Sequence, residues 1–538
     1  MSDPHRRKLR YAVVLDRLRS WQLRCIQALE ASDAATLEAI IEVGDEACPF
    51  FEQPRSQQVV ELPENLRTRT PFMRAGETAL HALQLDFVLQ LTQSRPPPEI
   101  VNAARYGIWY FNFSDGSRFT SRTPYFWEIY RDHDVSAAML LRAGPNGDSL
   151  GTVLAAGYFP TIRTSYAQNV DQCFFRSAGW PAKVCRELVT LAVTPAGSTL
   201  PLPVETYGVP NFFARLGCTL RMLRARAFAF AHNFLRPYWN IARVRLPQAG
   251  GGKAREVQLL VPDSVTDYFA DPFAYQSGGR RYVFFERFSY LRNRGNISFL
   301  ELGAEAQPQL VTAIEEPEHM SYPQVFEWAG TTYCVPETSK ANEVRIYKAV
   351  RFPHEWVLAG VILRGFPAVD PTLHRWRDRW WLFCTKYGEG QASDLYLWHA
   401  DDLFGPWKEH ARNPVKVDVR SARPAGRLFT RNEALYRPAQ DCSRSYGGRL
   451  SINKISKLSE TEFAEAVDGI VEPPPSGSYR YGLHTIDFLG DATIVDLKRV
   501  SFSTLATRRY FGVRIRSALN ALGVSDAQID RVKNSIRR

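Results

Sequence analysis

Carboxylates recur at fixed places in the second half of this 538-residue chain. Asp271 and Asp370 each open a segment as Asp-Pro, and Tyr322-Pro holds the same place in a segment between them. Fifteen residues beyond these openings stand Glu286, Glu337 and Thr385, and Asp441 ends a fourth segment that opens at Gly426. Two carboxyl groups facing one pocket, one protonated and one ionised, are the apparatus for glycosidic bond chemistry. Asp271, Glu337 and Asp370 are therefore the candidate catalytic residues, with Glu286 as a candidate substrate-binding group. Arg420 and Arg423, with Gln440 and Asp441, offer a fork for a phosphate or carboxylate beside a hydroxyl-binding pair. For Arg423 two readings stand: a clamp on an anionic substrate group, or a structural pair with a carboxylate. His319 and His484 are candidates for acid or base work near neutral pH. Each of these polar residues has a competing role as a hydrogen bond that locks neighbouring units.

The elements that must position them repeat. The copies are Asp271–Glu286, Tyr322–Glu337, Asp370–Thr385, Gly426–Asp441 and a weaker Gly482–Asp496, and the first four recur every 48 to 56 residues. Each reads as strand, tight turn, strand, with turns at Gly278-Gly279, Ala329-Gly330, Arg377-Asp378 and Asn432-Glu433. Third strands are expected at Ile297–Leu302, Val344–Val350, Leu395–Ala400 and Leu450–Ile455, and a fourth at Trp356–Leu363. Four strands repeated five times at this period predict a five-bladed β-propeller. Its innermost strands line a central channel, so the copy openings and copy ends converge on one rim. A strand residue before proline is expected to be extended.

The first half alternates short apolar runs with helical segments. Tyr11–Asp16, Ala39–Val43, Leu85–Leu91 and Gly107–Phe113 read as strands, and Ser20–Ala31 and Pro98–Ala104 as helices. This alternation predicts a parallel α/β domain. No Gly-x-Gly-x-x-Gly follows the first strand, so a dinucleotide fingerprint is absent. Asn112, Ser114 and Asp115 would lie at its strand-end crevice. Phe212–Leu235 is helix-like and basic, which suits either a membrane surface or packing between domains. The expected organisation is an α/β domain over 1–205, a helical linker over 206–245, the propeller over 246–500 and a helical tail over 501–538.

Composition narrows the classes. Hydrophobic residues at 45% and charged residues at 23% exclude wholesale disorder. The excess of 67 Lys and Arg over 56 Asp and Glu, +11, is spread along the chain without a basic stripe. That argues against nucleic acid and for an anionic small partner or a membrane surface. Eight scattered cysteines show no metal spacing, so no metal site and no disulfide scaffold are expected. Neither a signal-peptide core nor an 18-residue apolar stretch occurs, so the expected location is cytoplasmic, peripheral to the inner membrane at most.

Three resemblances add to this reading. Ile100–Ser114, Pro124–Tyr130 and the strands Ser136–Leu141 and Gly151–Ala155 resemble the formyltransferase domain family over about residues 8–200. That implies a Rossmann-like, formyltransferase-like domain. The family's Asn-x-His pair falls on Tyr110 and Asn112, and Asn146–Thr152 aligns its later Asp poorly, which disfavours sugar N-formyl transfer. The Asp-Pro openings and Asp401–Trp407 resemble the five-bladed propeller glycoside hydrolases. That resemblance implies base or nucleophile at Asp271 and a tuning role at Asp370. It expects an acid Glu at position 385, where Thr385 stands, so Glu337 would have to substitute.

His319–Trp328, Val335–Thr338, Asp418–Gly426 and Arg437–Cys442 look like the N-terminal domain of plant glucosamine inositolphosphorylceramide transferases and their bacterial relatives. This covers about 255–500 and points to glycan or glycolipid assembly. The expected function is a glycosyltransferase-type enzyme of surface polysaccharide or glycolipid biosynthesis, taking a sugar donor and a glycan or glycolipid acceptor. It needs no cofactor beyond an activated sugar donor. The alternatives are a propeller-type glycoside hydrolase and a non-catalytic glycan-binding protein.

Overall fold

The computed structural model describes residues 7–44, 50–74, 83–92, 104–144, 149–191, 197–203, 205–247, 251–303, 309–490 and 492–503. The expected helix at Pro98–Ala104, save for Ala104, and the expected C-terminal tail beyond Ser503 lie outside them, as do residues 145–148 of the Asn146–Thr152 loop.

The N-terminal region is one eight-stranded sheet, in the order Phe72–Arg74, Ala35–Glu42, Leu9–Leu15, Phe87–Gln90, Ile108–Asn112, Val135–Arg142, Ser149–Pro160 and Thr199–Pro201. The first five strands run parallel and the last three antiparallel, so the sheet is mixed rather than parallel throughout. A parallel crossover needs a dozen or more residues, and the short link from Arg142 to Ser149 permits only a hairpin. Helices Ser20–Ala31, Tyr166–Ser177 and Trp180–Leu191 bury Trp21, Ile26, Phe174 and Val184 against Tyr11, Trp109 and Phe111 of the sheet. Phe113 and Phe174 stack with centroids 3.6 Å apart.

The stretch 206–245 is not helical throughout. Asn211 caps a helix, Phe212–His232, by accepting from Ala214 N at 2.9 Å. The chain then enters a strand, Leu235–Arg245, that belongs to the propeller.

Five sheets make the propeller. Blade one is Asp267–Ser277, Arg280–Ser289, Arg294–Leu302 and Val311–Ile314; blade two is Ser321–Trp328, Thr331–Glu337, Glu343–Arg351 and Glu355–Arg364. Blade three holds Ala368–Trp376, Arg379–Lys386, Asp394–Ala400 and Lys408–Glu409, with Lys416–Val417 also paired to its third strand. Blade four runs Phe429–Arg431, Ala434–Asp441, Arg449–Leu458 and Phe463–Glu472, with Gly252–Lys253 added at its edge. Blade five joins Ile486–Leu489 and Ala492–Phe502 to the earlier strands Leu235–Arg245 and Arg255–Leu259. Ten antiparallel pairs, from Leu235 with Phe502 to Val244 with Thr493, close the ring. The four expected turns have positive φ at both central residues, the type I′ geometry that matches strand twist.

Sheet and propeller touch directly. Val419 N donates to Tyr158 O at 3.0 Å, and Lys183 Nζ donates to Pro414 O at 2.6 Å. Arg176 reaches Ser393 Oγ at 2.9 Å and pairs with Asp394.

Candidate active site at the propeller mouth

Asp271, Tyr322 and Asp370 occupy the same bulge in blades one, two and three. Regular pairing lapses between Ala270 and Phe273, between Ser321 and Gln324, and between Val369 and Thr372. All three residues are left-handed, with φ of 54°, 52° and 50°, where the X-Pro rule predicts extended backbone. The bulge overrides that preference and turns each buried side chain toward a neighbouring blade, as Tyr322 does toward Thr372 and Gly426 N. The cost is met in part by acceptors from neighbouring blades. Asp271 N donates to Asp496 Oδ2 at 2.9 Å, and Asp370 N donates to Glu337 Oε2 at 3.0 Å.

Asp271 sits in a buried cluster. Its Oδ1 accepts from Thr485 Oγ1 at 2.8 Å and lies 3.4 Å from His484 Nε2. The other imidazole nitrogen, Nδ1, lies 2.6 Å from Asp496 Oδ2. Burial pushes the Asp271 carboxyl up to about 6, with Asp370 and Asp496 adding and His484 opposing. Burial alone would lower His484, but the two flanking carboxylates prevail and raise it above the ordinary histidine value.

Asp370 is gripped from two sides. Arg423 Nε donates to Oδ2 at 2.6 Å and Nη2 to Oδ1 at 3.4 Å, while Gln440 Nε2 donates to Oδ2 at 3.0 Å. Burial again pushes this carboxyl up to about 6, against the attraction of Arg423. Glu286 is buried beside Tyr268, whose hydroxyl donates to Oε1 at 3.2 Å. Burial and then the Asp271 charge hold Glu286 well above the usual carboxylate range. A carboxyl raised well above its ordinary range thus lies beside one raised to about 6.

Other expected residues take different positions. Glu337 accepts from Ser339 Oγ at 2.6 Å and from Asp370 N, so it holds the bulge of the next blade. His319 lies near Glu286, Nε2 to Oε1 at 3.7 Å, and its Nδ1 accepts from Gly295 N at 2.9 Å. Burial lowers it to about 4, so it is neutral at physiological pH and does not titrate there. Gln440 and Asp441 are adjacent on a strand and point to opposite sides. Gln440 faces Asp370, whereas Asp441 binds Arg449 Nε at 2.8 Å and Ser443 N at 3.0 Å, so the four-residue anion fork does not assemble.

Arg420 also leaves the mouth. It holds Asp418 with two bonds of 2.8 Å and lies over the Tyr158 ring at 4.1 Å, at the contact with the N-terminal sheet. Asn112 is in that sheet and exchanges hydrogen bonds with Ser114.

Several residues at the mouth carried no signal of their own in the sequence. Tyr446, 46% exposed, stands with its hydroxyl 3.4 Å from Arg423 Nη2 and its ring edge-on to His484 at 5.2 Å. Trp239 stacks on His484 at 4.0 Å, and Lys498 lies over Trp239 at 5.1 Å. Burial lowers the Lys498 ammonium to about 8. Asp496, Thr485 and Tyr268 complete the set. Of these, only Asp496 was locatable, as the end of the fifth copy.

Asp271, His484 and Asp496 bring three donor atoms within 4.8 Å of one another, a spacing that suits a cation. The carboxylate oxygens are already engaged. His484 bridges both carboxylates, and Asp496 accepts from the backbone N–H of Asp271, His484 and Thr485.

Residues 260–478 match the family model described as glucosamine inositolphosphorylceramide transferase 1, N-terminal. The glucosamine inositolphosphorylceramide transferase 1 of Oryza sativa subsp. japonica is 38% identical over 208 residues, covering 37% of this chain and 28% of that protein. The Arabidopsis thaliana protein of the same name is 36% identical over 208 residues, 37% of this chain and 27% of that one. The chain thus spans little more than a quarter of the length of these relatives. Among solved structures, Zg3597, a family 117 glycoside hydrolase of Zobellia galactanivorans, aligns with 49% of this chain and 90% of its own at 14% identity and a TM-score of 0.33. The β-xylosidase RS223 aligns with 44% and 92% at 9% identity and a TM-score of 0.33. Over residues 260–478, which carry Asp271, Glu286, Glu337, Asp370, Arg423 and Gln440, the chain is similar to the N-terminal domain of glucosamine inositolphosphorylceramide transferase 1.

Proposed function

We propose that this protein transfers a sugar from an activated donor to a glycan or glycolipid acceptor, with the propeller mouth as its active site. The observation that carries this reading is the 38% identity to a named glucosamine inositolphosphorylceramide transferase, over a propeller segment whose carboxyl groups converge at the mouth. Asp271, raised to about 6, is ionised at neutral pH and still basic enough to take the acceptor hydroxyl proton. The hydroxyl oxygen forms the new bond to the anomeric carbon, and the donor's leaving group departs with the electron pair of the bond that breaks. Glu286, whose carboxyl burial and the Asp271 charge push well up, is the group we assign to assist that leaving group. Tyr446, which is exposed, supplies an aromatic surface for a sugar ring.

The N-terminal sheet we read as a formyltransferase-like fold that does not transfer formyl groups. The reading rests on the resemblance of Ile100–Ser114 and Pro124–Tyr130 to that family, and Tyr110 and Asn112 leave no imidazole to polarise a formyl donor.

Incubation with a panel of nucleotide sugars, read by thermal shift and then by transfer to glycolipid acceptors, tests the assignment. Asp271→Asn should abolish transfer with the fold retained. A folded Asp271→Asn protein with full turnover overturns the site. Release of free sugar from a glycan, without transfer, replaces the reading with hydrolysis.

A further inference from the structure

A cavity of about 420 Å³ lies in the seam between the N-terminal sheet and blade three, and none of its lining residues belongs to the propeller mouth. One wall is the strand Ser149–Pro160 with the helix Trp180–Leu191, and the other is the strand Asp394–Ala400 with the loop 410–415. Cavities of this size at the contact between two folded units are common seats for small ligands. Five cations line it, Arg176, Lys183, Arg186, Arg412 and Lys416, against the two carboxylates Asp394 and Glu187. Arg176 pairs with Asp394, and Lys416 with Glu465 at 2.8 Å. Glu187 is left to face the other three cations. Its oxygens stand 3.9 Å from Lys183 Nζ and 3.8 Å from Arg412 Nε, too far for a hydrogen bond to either. Arg186 is exposed and makes no ion pair among the described residues.

A surplus of two positive charges is thus held in a partly closed space, where it repels itself until an anion enters. Burial lowers the Lys183 ammonium below the ordinary lysine value; Glu187 opposes that shift, and Arg186 and Arg412 add to it. A second observation points to the same ligand. Arg412 Nε is buried and has no hydrogen-bond partner among the described residues. The loop that carries it is pinned in place. His410 Nδ1 accepts from Arg412 N at 3.0 Å, Asn413 Oδ1 accepts from Leu397 N at 2.9 Å, and Asn413 Nδ2 donates to Leu397 O at 2.8 Å. The unmet donor is therefore held ready for an acceptor. Trp180, Tyr396 and Phe463 line the same cavity and give it an aromatic side.

We propose that this seam cavity binds a small phosphomonoester, its phosphate meeting Arg412, Lys183 and Arg186 and its organic body lying against the aromatic side. A phosphate dianion matches the surplus charge, and guanidinium groups present the paired donors that phosphate oxygens take. A ligand seated here touches both walls, so it also strengthens the contact of sheet with propeller. The inference does not rest on the sugar-transfer reading, because the cavity is separate from the mouth and binding is read without turnover.

Isothermal titration calorimetry of the full chain with glucose 6-phosphate, inorganic phosphate, succinate and glucose tests it. Glucose 6-phosphate should bind more tightly than inorganic phosphate, and about tenfold or more tighter than succinate or glucose. Arg186→Gln/Arg412→Gln should weaken that binding by about tenfold or more, and Glu187→Gln, which removes the competing anion, should tighten it. Asp271→Asn, at the mouth, should leave it unchanged. Ligand-free melting temperatures establish folding, and Arg186→Gln alone, at an exposed position, carries the test if the double variant unfolds. A seam with a purely structural role predicts no gain in affinity for Glu187→Gln. The inference is overturned if glucose 6-phosphate does not bind, if glucose, succinate or inorganic phosphate binds as tightly, or if the arginine variants bind like wild type. It is also overturned if Asp271→Asn abolishes binding, which would move the phosphate to the mouth.

Discussion

Arg423 and Asp370 form a buried, two-pronged pair, with Nε 2.6 Å from Oδ2 and Nη2 3.4 Å from Oδ1. The guanidinium therefore serves a carboxylate of the protein itself, which favours the structural alternative over a dedicated clamp for an anionic substrate. Replacement by lysine keeps the charge but cannot keep both contacts. Arg423→Lys should cost about 1–3 kcal/mol of stability, as expected for a damaged buried charged hydrogen bond. Urea denaturation and ligand affinity measured on the same protein decide it: lost affinity at unchanged stability would restore the substrate clamp.

The raised carboxyl of Asp271 gives stability a definite pH dependence. Its folded value of about 6 lies above the ordinary aspartate value, so the folded state binds this proton more tightly than the unfolded chain does. The resulting stabilisation is complete below the unfolded value near 4 and disappears as pH rises through about 6. Asp271→Asn does not titrate. Its stability relative to wild type should therefore rise between pH 4 and pH 7, seen as a shift in urea midpoints. A flat difference across that window would show that Asp271 is not raised.

At the contact between sheet and propeller, Asp394 is held by Arg176 and Ser393. Burial raises the Asp394 carboxyl, and Arg176 opposes that shift. Arg176→Ala strands a largely buried charge and should destabilise by about 3–5 kcal/mol. Arg176→Ala/Asp394→Asn should recover part of the loss. A double-mutant cycle by thermal or urea unfolding reads this coupling, and additive losses would mean the pair is inert.

The propeller was legible because its blades repeat. Gly278-Gly279 and Asn432-Glu433 announce turns through local chemistry, and the apolar runs beside them alternate as strands do. Leu235–Arg245 was not legible as a strand of the last blade, since one of its two partners, Ala492–Phe502, lies at the other end of the propeller and no local pattern pairs them. The copy spacing brought Asp271, Glu286, Glu337 and Asp370 to one rim, but not their division of labour. That division depends on which carboxylate accepts a backbone N–H, as Glu337 and Asp496 do, and the bulges set it. Strand alternation separates Gln440 from Asp441, a parity that adjacent polar letters conceal. Tyr446, Trp239 and Lys498 come from a loop and from both halves of blade five, so no single segment displays them together. In the N-terminal sheet, the short run from Arg142 to Ser149 marked a hairpin that the alternation of elements obscured.

The seam of blade five also dictates an order of events during synthesis. Leu235 leaves the ribosome long before Phe502 exists, so the ring stays open until almost all of the propeller has been made. Bringing the two strands together closes a loop of the whole propeller, at an entropic cost of about 5 kcal/mol on the logarithmic chain-closure rule. Until then Leu235–Arg245 is an unpaired edge, the kind of template that recruits wrong partners.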